Sequence, residues 1–490
     1  RATDANTGGA GSLDLFKLYN ESTLPLSSSG VFEISRILIQ FDLSAFRALT
    51  ASNQPLSGTK LNNARFRLKL FDAKHSDIIP SSFNVVVFPL SKSFDEGVGI
   101  DNYAFQDIDA ANFITASGQA GTAVAWELSG ANQAGFYKQA SVDYMTGSSN
   151  FPGTGKTDFF ATQSFPLGTE DLDVDVTTVV SATLVGLLPD FGFRVSFSGT
   201  EETDYKTRYI KRFFSRHANV FAKQPRLEAV FDDTLFDNYN NFVFDTTGTI
   251  FLSNIVRGKL SNITSGTITL TGSSADVSTP SAKFQWAVPI VKLVSGSYAD
   301  YFTGSFHDTG IYSASFAISS LHTKLSGEIR AADSATFDVT WQSADGVIPF
   351  LSSSMAIKSI TRDSFIKPKR YRIDVVNLKR DYNVNEIAQF RLFIRDVNYS
   401  VQTSKIPSDV QSLIIHEMYY QIRDLSTGEI FMPFDTETNS TRMSYDRSSN
   451  YFNTRMSSFA PGRNYKVEFM IVEDGIKQVI DENILFRVIK

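Results

Sequence analysis

The chain has 490 residues, 42 of them Phe and 18 Tyr, and no Cys; it is too long for one ordinary domain and has no thiol for a disulfide, a thiolate metal site or a cysteine nucleophile. Its 46 basic and 52 acidic residues leave a net charge of −6, against a general nucleic-acid binder, which needs a dense basic surface to displace counterions. No apolar run approaches the roughly 18 residues of a membrane helix, so a soluble protein with no membrane partner is expected.

Short alternating runs dominate the chain. Residues 31–41 read as one long strand. Residues 64–71 alternate cleanly, with Phe66, Leu68 and Leu70 on one face and Arg65, Arg67 and Lys69 on the other. Residues 83–88 and 191–197 follow the same pattern. The best helical stretch is 175–186, where Asp175 or Thr177 is placed to cap a short helix. Residues 225–231 look like the closing strand of a domain, and the polar stretch 237–241 after them reads as a turn. Pro368 disfavours a continuing strand and marks a second boundary. Charge follows the same division: residues 233–366 hold 8 basic and 11 acidic groups, against 18 and 16 in the slightly shorter 367–490. In the last segment, residues 466–472 and 476–480 flank Gly475 as a hairpin. The expected architecture is all-β: an N-terminal jelly-roll sandwich over 1–232, then two smaller Ig-like β-sandwich domains over 233–366 and 367–490.

Few motifs carry chemistry. Gly153, Gly155, Lys156 and Thr157 look like the end of a phosphate loop, but the first Gly of that pattern would fall at 150, which is Asn150, and no helix is expected to follow. Asp171, Asp173 and Asp175 fall at period 2 on one face of an extended segment. They are the candidate Ca²⁺ ligands, or else a solvated strand edge with Asp175 capping the helix. His416 and Glu417 begin like a metalloprotease motif, but the fifth position is Tyr420 rather than His. The five His residues (His75, His217, His307, His322, His416) are scattered. Lys367, Lys369, Arg370 and Arg372 form a basic cluster, read either as a solvated linker or as a face for an acidic protein partner. Paired carboxylates for glycoside hydrolysis come from distant parts of a chain, and this sequence singles out none. No catalytic residue, cofactor or cofactor-binding residue is assigned.

Four landmarks in 1–232 resemble the disaggregatase-related (DNRLRE) family of jelly-roll domains. They are Arg36 with Phe41, Asp42, Leu43 and Ser44; Ala64, Phe66 and Leu68; Asp175, Val176 and Thr177 with Val180; and Ser215 and Arg216 followed by Pro225 and Leu227. The resemblance implies a relative of carbohydrate-binding modules. His217 departs from the acidic residue common in the family, and long insertions lie between 95 and 165. Sugar sites in sandwiches present exposed rings, which makes Trp126, Tyr137 and Tyr144 of the insertion the candidate ligand-binding residues. In the last segment, Phe459, Pro461, Gly462 and Tyr465 resemble the tyrosine corner of fibronectin- and immunoglobulin-like sandwiches.

No signal peptide is legible after Arg1, and an initiator Met or a short leader is expected to precede it. The Phe-, Tyr-, Ser- and Asn-rich β composition is similar to that of many phage appendage proteins. Together these features point to a non-enzymatic virion structural protein of a tailed phage, in the neck, tail fibre, baseplate or capsid decoration. Its expected partners are other virion proteins and copies of itself, with no nucleic acid. The alternative is a carbohydrate-binding adhesin at a cell surface or fibre tip, with a surface glycan as partner.

Overall fold

Alternation dictates the strands, and burial of their apolar faces dictates how the sheets meet. A computed structural model describes residues 3–20, 31–51, 56, 58–100, 109–118, 122–265, 268–270, 288–359, 369–398, 411–473 and 475–490. The chain divides into two units, Arg1–Phe231 and Asp232–Lys490. In both, strands far outnumber the few short helices.

In the first unit, besides a short pair of Thr115–Ser117 with Val124–Ala125, the strands are β1 (Ser12–Asn20), β2 (Val31–Ile34), β3 (Ile37–Ile39), β4 (Arg65–Leu70), β5 (Phe83–Pro89), β6 (Ala134–Phe136), β7 (Tyr144–Phe151), β8 (Gly155–Asp158), β9 (Ala161–Phe165), β10 (Leu172–Asp175), β11 (Phe193–Phe197), β12 (Arg208–Phe214) and β13 (Arg226–Val230). They form sheets in the orders β12-β1-β2, β9-β5-β11-β3, β10-β4-β13 and β8-β7-β6. Leu15, Phe66, Leu68, Leu70, Val85, Phe165 and Phe213 close the main apolar core between them. The inward face of β4 is Phe66, Leu68 and Leu70, as its alternation requires.

Residues 31–41 are not one strand. The chain breaks at Ser35 and Arg36, with β2 in one sheet and β3 in another. The Ser35 hydroxyl accepts the Phe16 N–H (2.8 Å) and donates to the Asp14 carbonyl (2.7 Å), replacing ladder bonds at the crossing point. The Arg36 guanidinium is held bidentate by Glu202. A polar pair between two apolar runs thus turns the strand into a corner. The helix expected over 175–186 is Thr177–Leu184. Asp175 Oδ1 accepts the Thr177 N–H (2.8 Å) at its start, while the Thr177 hydroxyl accepts the Phe66 N–H and ties the helix to β4.

The second unit holds two apolar cores. Around the first lie β14 (Gly248–Ser253), β15 (Ile290–Ser295), β16 (Tyr298–Thr303), β17 (Ser305–Asp308), β18 (Ile311–Phe316), β19 (Ser334–Gln342) and β20 (Pro349–Lys358), in sheets β14-β18-β17 and β16-β15-β19-β20. Ile250, Tyr312, Leu293, Phe337 and Trp341 fill the space between them. Around the second lie β21 (Tyr371–Val375), β22 (Asp381–Asn383), β23 (Ile387–Asp396), β24 (Met418–Asp424), β25 (Ile430–Met432), β26 (Ser444–Tyr445), β27 (Asn450–Arg455), β28 (Asn464–Glu473) and β29 (Ile476–Ile489). These form sheets β21-β23-β27-β26 and β22-β29-β28-β24-β25, which bury Ile373, Phe390, Leu392, Ile422, Phe469 and Phe486. β28 and β29 make the expected hairpin, with Glu473 opposite Ile476 across the turn.

The tyrosine corner is present. Tyr465 is fully buried, and its hydroxyl accepts the Ala460 N–H at 2.9 Å. Gly462 turns the chain at φ +84°, a conformation L side chains adopt at a cost. The rings of Phe459 and Phe486 pack on Tyr465 at 4.8 and 5.6 Å. Replacing Tyr465 with Phe keeps these ring contacts and strands a buried N–H. It is expected to cost about 1–3 kcal/mol, read as a lower denaturant midpoint for the transition of the second unit.

Candidate interaction surfaces

The three rings of the insertion expected to be open, Trp126, Tyr137 and Tyr144, are buried or half-buried, while Phe136 (60% exposed) and Phe160 (48%) are the ones that face solvent. Trp126 is 5% exposed, packs with Ala111, Ala116 and Ala131, and donates its indole N–H to the Asn112 carbonyl at 2.9 Å. Tyr137 is half-buried, edge-on to Phe151 at 5.0 Å. Tyr144 is also half-buried, with Phe88 4.7 Å away and the Arg194 guanidinium over its ring at 4.6 Å. The physical reason is that the insertion is pinned. The fully buried Asp143 carboxylate accepts the N–H groups of Glu127 (2.8 Å), Leu128 (3.0 Å) and Gln133 (2.9 Å). Arg36 donates to the Gly130 carbonyl at 2.7 Å, and a Cβ at Gly130 would lie 2.3 Å from Arg36 Nη1. The segment is pinned to the rest of the unit, and Trp126, Tyr137 and Tyr144 are part of its packing.

The other motifs are likewise engaged in local structure. Asp173 pairs with Arg67 at 2.9 Å, Asp171 accepts the Asp72 N–H at 2.7 Å, and Asp175 starts the helix, so the three point to three different partners. Among the described residues no group of three or more His, Asp or Glu is placed to hold a metal. Gly153 and Gly155 form the β7–β8 turn at φ +85° and +75°, and a strand, not a helix, follows. His416 precedes β24 rather than lying within it, and sits edge-on to Tyr445 at 5.2 Å. Burial and then Arg442 push its imidazole below the ordinary value. In the basic cluster, Lys367 lies outside the described residues, Lys369 pairs with Glu473 at 3.2 Å, and Arg372 faces Asp374 at 3.8 Å. A cavity of about 40 Å³ beside Val87, Phe159, Val179 and Phe193 has room for water but not for a sugar ring.

What stays open is edge and surface. β29 pairs with β28 along one side, but on its other side only residues 487–489 pair, with β22. Among the described residues no strand is hydrogen-bonded to the outer edge of 476–486, although β21 packs close to β29, and Ile476 (71% exposed) and Val479 (57%) stand on this edge. A bulge at 481–483, with Asn483 at φ +55°, interrupts the edge halfway. Among the described residues of the first unit the open tyrosine rings include Tyr205, 75% exposed and 5.4 Å from Tyr19, and Tyr209. Sequence reading missed both tyrosines, because their exposure depends on where β12 and the preceding helix end.

Within the second unit, residues 235–240 bind both sandwiches. The Leu235 N–H donates to the Ser444 hydroxyl (3.0 Å), its carbonyl accepts the Tyr445 N–H (3.0 Å), and the Asp237 N–H donates to the Tyr445 carbonyl (3.1 Å). Phe236 stacks on Tyr445 at 5.1 Å under the Arg442 guanidinium. Asn238 exchanges two bonds with Thr249 and donates to the Tyr445 hydroxyl. Burial pushes the Asp237 carboxyl up to about 7, with the Tyr239 N–H and Arg447 opposing and Asp446 reinforcing. Arg391 holds Asp446 bidentate at 2.8 and 3.0 Å.

No protein-family model matches the sequence, so the jelly-roll resemblance of 1–232 rests on its four landmarks alone. No curated protein matches it either. Among solved structures, a two-domain fibronectin type-III segment of chicken tenascin shares 10% identity over 41% of this chain and 87% of that one, at a TM-score of 0.12. The extracellular region of plexin A4 shares 13% over 40% of this chain and 23% of that one, at 0.15. A Ca²⁺-stabilised adhesin with which an Antarctic bacterium binds ice shares 10% over 86% and 92%, at 0.14. At TM-scores this low no property of this chain follows from them. Among the described residues no helix is long and apolar enough to cross a membrane.

The Asp237 carboxyl sets a pH dependence. Its folded value of about 7 lies above the unfolded value of about 3.9, so the folded state holds the proton longer. Stability of the second unit is greatest below the unfolded value and falls as pH rises to about 7, by roughly 2–4 kcal/mol in all. His416, held low, acts in the opposite sense as pH rises toward its unfolded value. Thermal unfolding of the wild type and Asp237→Asn between pH 4 and 8 isolates the carboxyl: the wild type should lose stability relative to the variant as pH rises.

Proposed function

We propose that this protein is a structural component of a virion, of the neck, tail-fibre, baseplate or capsid-decoration kind found in tailed phages. It acts without catalysis, through interfaces with other virion proteins and with copies of itself. The observation that carries this reading is the open edge of β29. An edge strand presents unpaired N–H and C=O groups to a second strand, and here Ile476 and Val479 add apolar area beside it. The buried polar groups support the same reading, because Asp143, Lys17 and Arg194 are each engaged in holding loops and sheets together. The full chain should run as a defined oligomer by light scattering and be found by proteomics of purified particles. Changing Ile476 and Val479 together to Lys should give a monomer with unchanged circular dichroism. Particles without the protein, or an oligomer indifferent to both changes, would count against this reading.

A second reading, a carbohydrate-binding adhesin at a cell surface or fibre tip, is favoured by the open rings of Tyr205 and Tyr209, which are of the kind that stack on sugar faces. On this reading the wild type binds a member of a glycan panel and Tyr205→Ala loses at least tenfold in affinity. Equal binding by both proteins would remove it.

A further inference from the structure

Two lysines point from the β1–β12 ladder into the core of the first unit, and their surroundings differ in a way that matters chemically. Lys17 meets Asp204 at 2.6 Å, but Asp204 is also gripped by both Arg208 nitrogens at 2.7 Å. That grip holds its carboxyl far below the usual range, and a carboxylate locked by a guanidinium is a poor electrophile. Lys211 is fully buried, with Nζ 2.5 Å from Asp72 Oδ1. It also donates to the carbonyls of Gly168 (2.9 Å) and Glu170 (2.8 Å). Among the described residues Asp72 pairs with Lys211 and with no arginine. The rings of Phe165 and Phe213 lie 5.3 and 4.8 Å from the Lys211 nitrogen. Glu170, whose backbone carbonyl takes one of the Lys211 bonds, accepts the Leu167 N–H with Oε1, while its Oε2 is shielded from solvent with no hydrogen-bond partner among the described residues.

We propose that Lys211 and Asp72 close an intramolecular isopeptide bond once the first unit has folded, with Glu170 relaying the protons. The Lys211 ammonium gives a proton to the Glu170 carboxylate, and the freed nitrogen lone pair attacks Asp72 Cγ. A C–O bond of the resulting tetrahedral carbon breaks with its electron pair. The departing oxygen takes up the two protons lost by the nitrogen, through Glu170, and leaves as water. The balance is one ammonium and one carboxylate giving one amide and one water, with no oxidant or co-reactant. Three features favour the step. Fixed contact replaces a bimolecular encounter. Burial pulls the Lys211 ammonium below its ordinary value, toward the neutral nucleophile. Conversion of a buried ion pair into a neutral amide also removes the desolvation cost of two charges.

The bond would join Asp72, two residues past the end of β4, to β12, strands of different sheets, across a separation of 139 residues. Such a cross-link restricts the unfolded chain as a disulfide does, in a protein without Cys.

Intact-mass spectrometry of the full chain tests it directly. The wild type should weigh one water less than its sequence, and its tryptic digest should contain a branched peptide joining the segments around 72 and 211. Asp72→Ala, Lys211→Arg and Glu170→Gln should each restore the full mass. Glu170→Gln retains both bonding partners and keeps the test valid if the other two fold poorly. A wild type at full mass, with trypsin cleaving after Lys211, would overturn the proposal. So would a water loss that persists in Lys211→Arg, since it would then come from another site.

Discussion

An alternating strand has one apolar face, and a sheet of such strands is stable in water only when something covers that face. Every larger feature of this protein answers that requirement. Phe66, Leu68 and Leu70 are completely buried along one side of β4, each contributing roughly 1.5–3 kcal/mol relative to exposure. Arg65, Arg67 and Lys69 on the other side pay no such penalty. The same division recurs in β15, where Val291 and Leu293 are buried and Lys292 and Val294 are not. With no cross-link from cysteine available, cohesion in each core rests on how completely two sheets cover one another.

Coverage is least simple where charge is buried. Arg194 is nearly inaccessible on β11, with Ser196, Asn132 and Glu202 sharing its guanidinium and Tyr144 lying against its face. Burial, with Arg36 nearby, draws it down to about 10. Its Nε has no partner among the described residues, so within them the site is compensated but not fully satisfied. Such a group adds little net stability, and removing one partner leaves an uncompensated charge. Its consequence is positional: the arginine fixes Tyr144 and Asn132, and through them the insertion, in one place over the sheet.

The period-2 pattern made most of the strands legible, because it depends only on which residues alternate. β4, β5, β11, β13 and the β28–β29 hairpin could be read this way, and the tyrosine corner could be read because Pro461, Gly462 and Tyr465 are local. The break at Ser35 was not legible. Apolar residues flank it on both sides, and only the distant carbonyl of Asp14 and carboxylate of Glu202 show why the chain turns there. The insertion failed for a similar reason. Trp126 and Tyr144 resemble exposed recognition rings in composition, and their burial is decided by Asp143 and Arg194, whose partners lie elsewhere in the chain. The surface candidates, the β29 edge and Tyr205, depend on which strand ends have neighbours. That is a property of topology, which alternation does not encode.

Topology also explains why residues 235–240 matter beyond their length. Asn238 bonds Thr249, beside one core of the second unit, and the Tyr445 hydroxyl, beside the other. Phe236 adds a single stacked ring, so little apolar area is committed at this joint. Interfaces of that kind are held by a few directional polar bonds, and their strength varies with the ionisation of groups inside them far more than that of an apolar core. A carboxyl whose proton is held near neutrality then influences how firmly the two sandwiches are joined, while each sandwich keeps its own apolar core. Cohesion within a sandwich and attachment between sandwiches are therefore set by different physics, and conditions that loosen the second need not disturb the first.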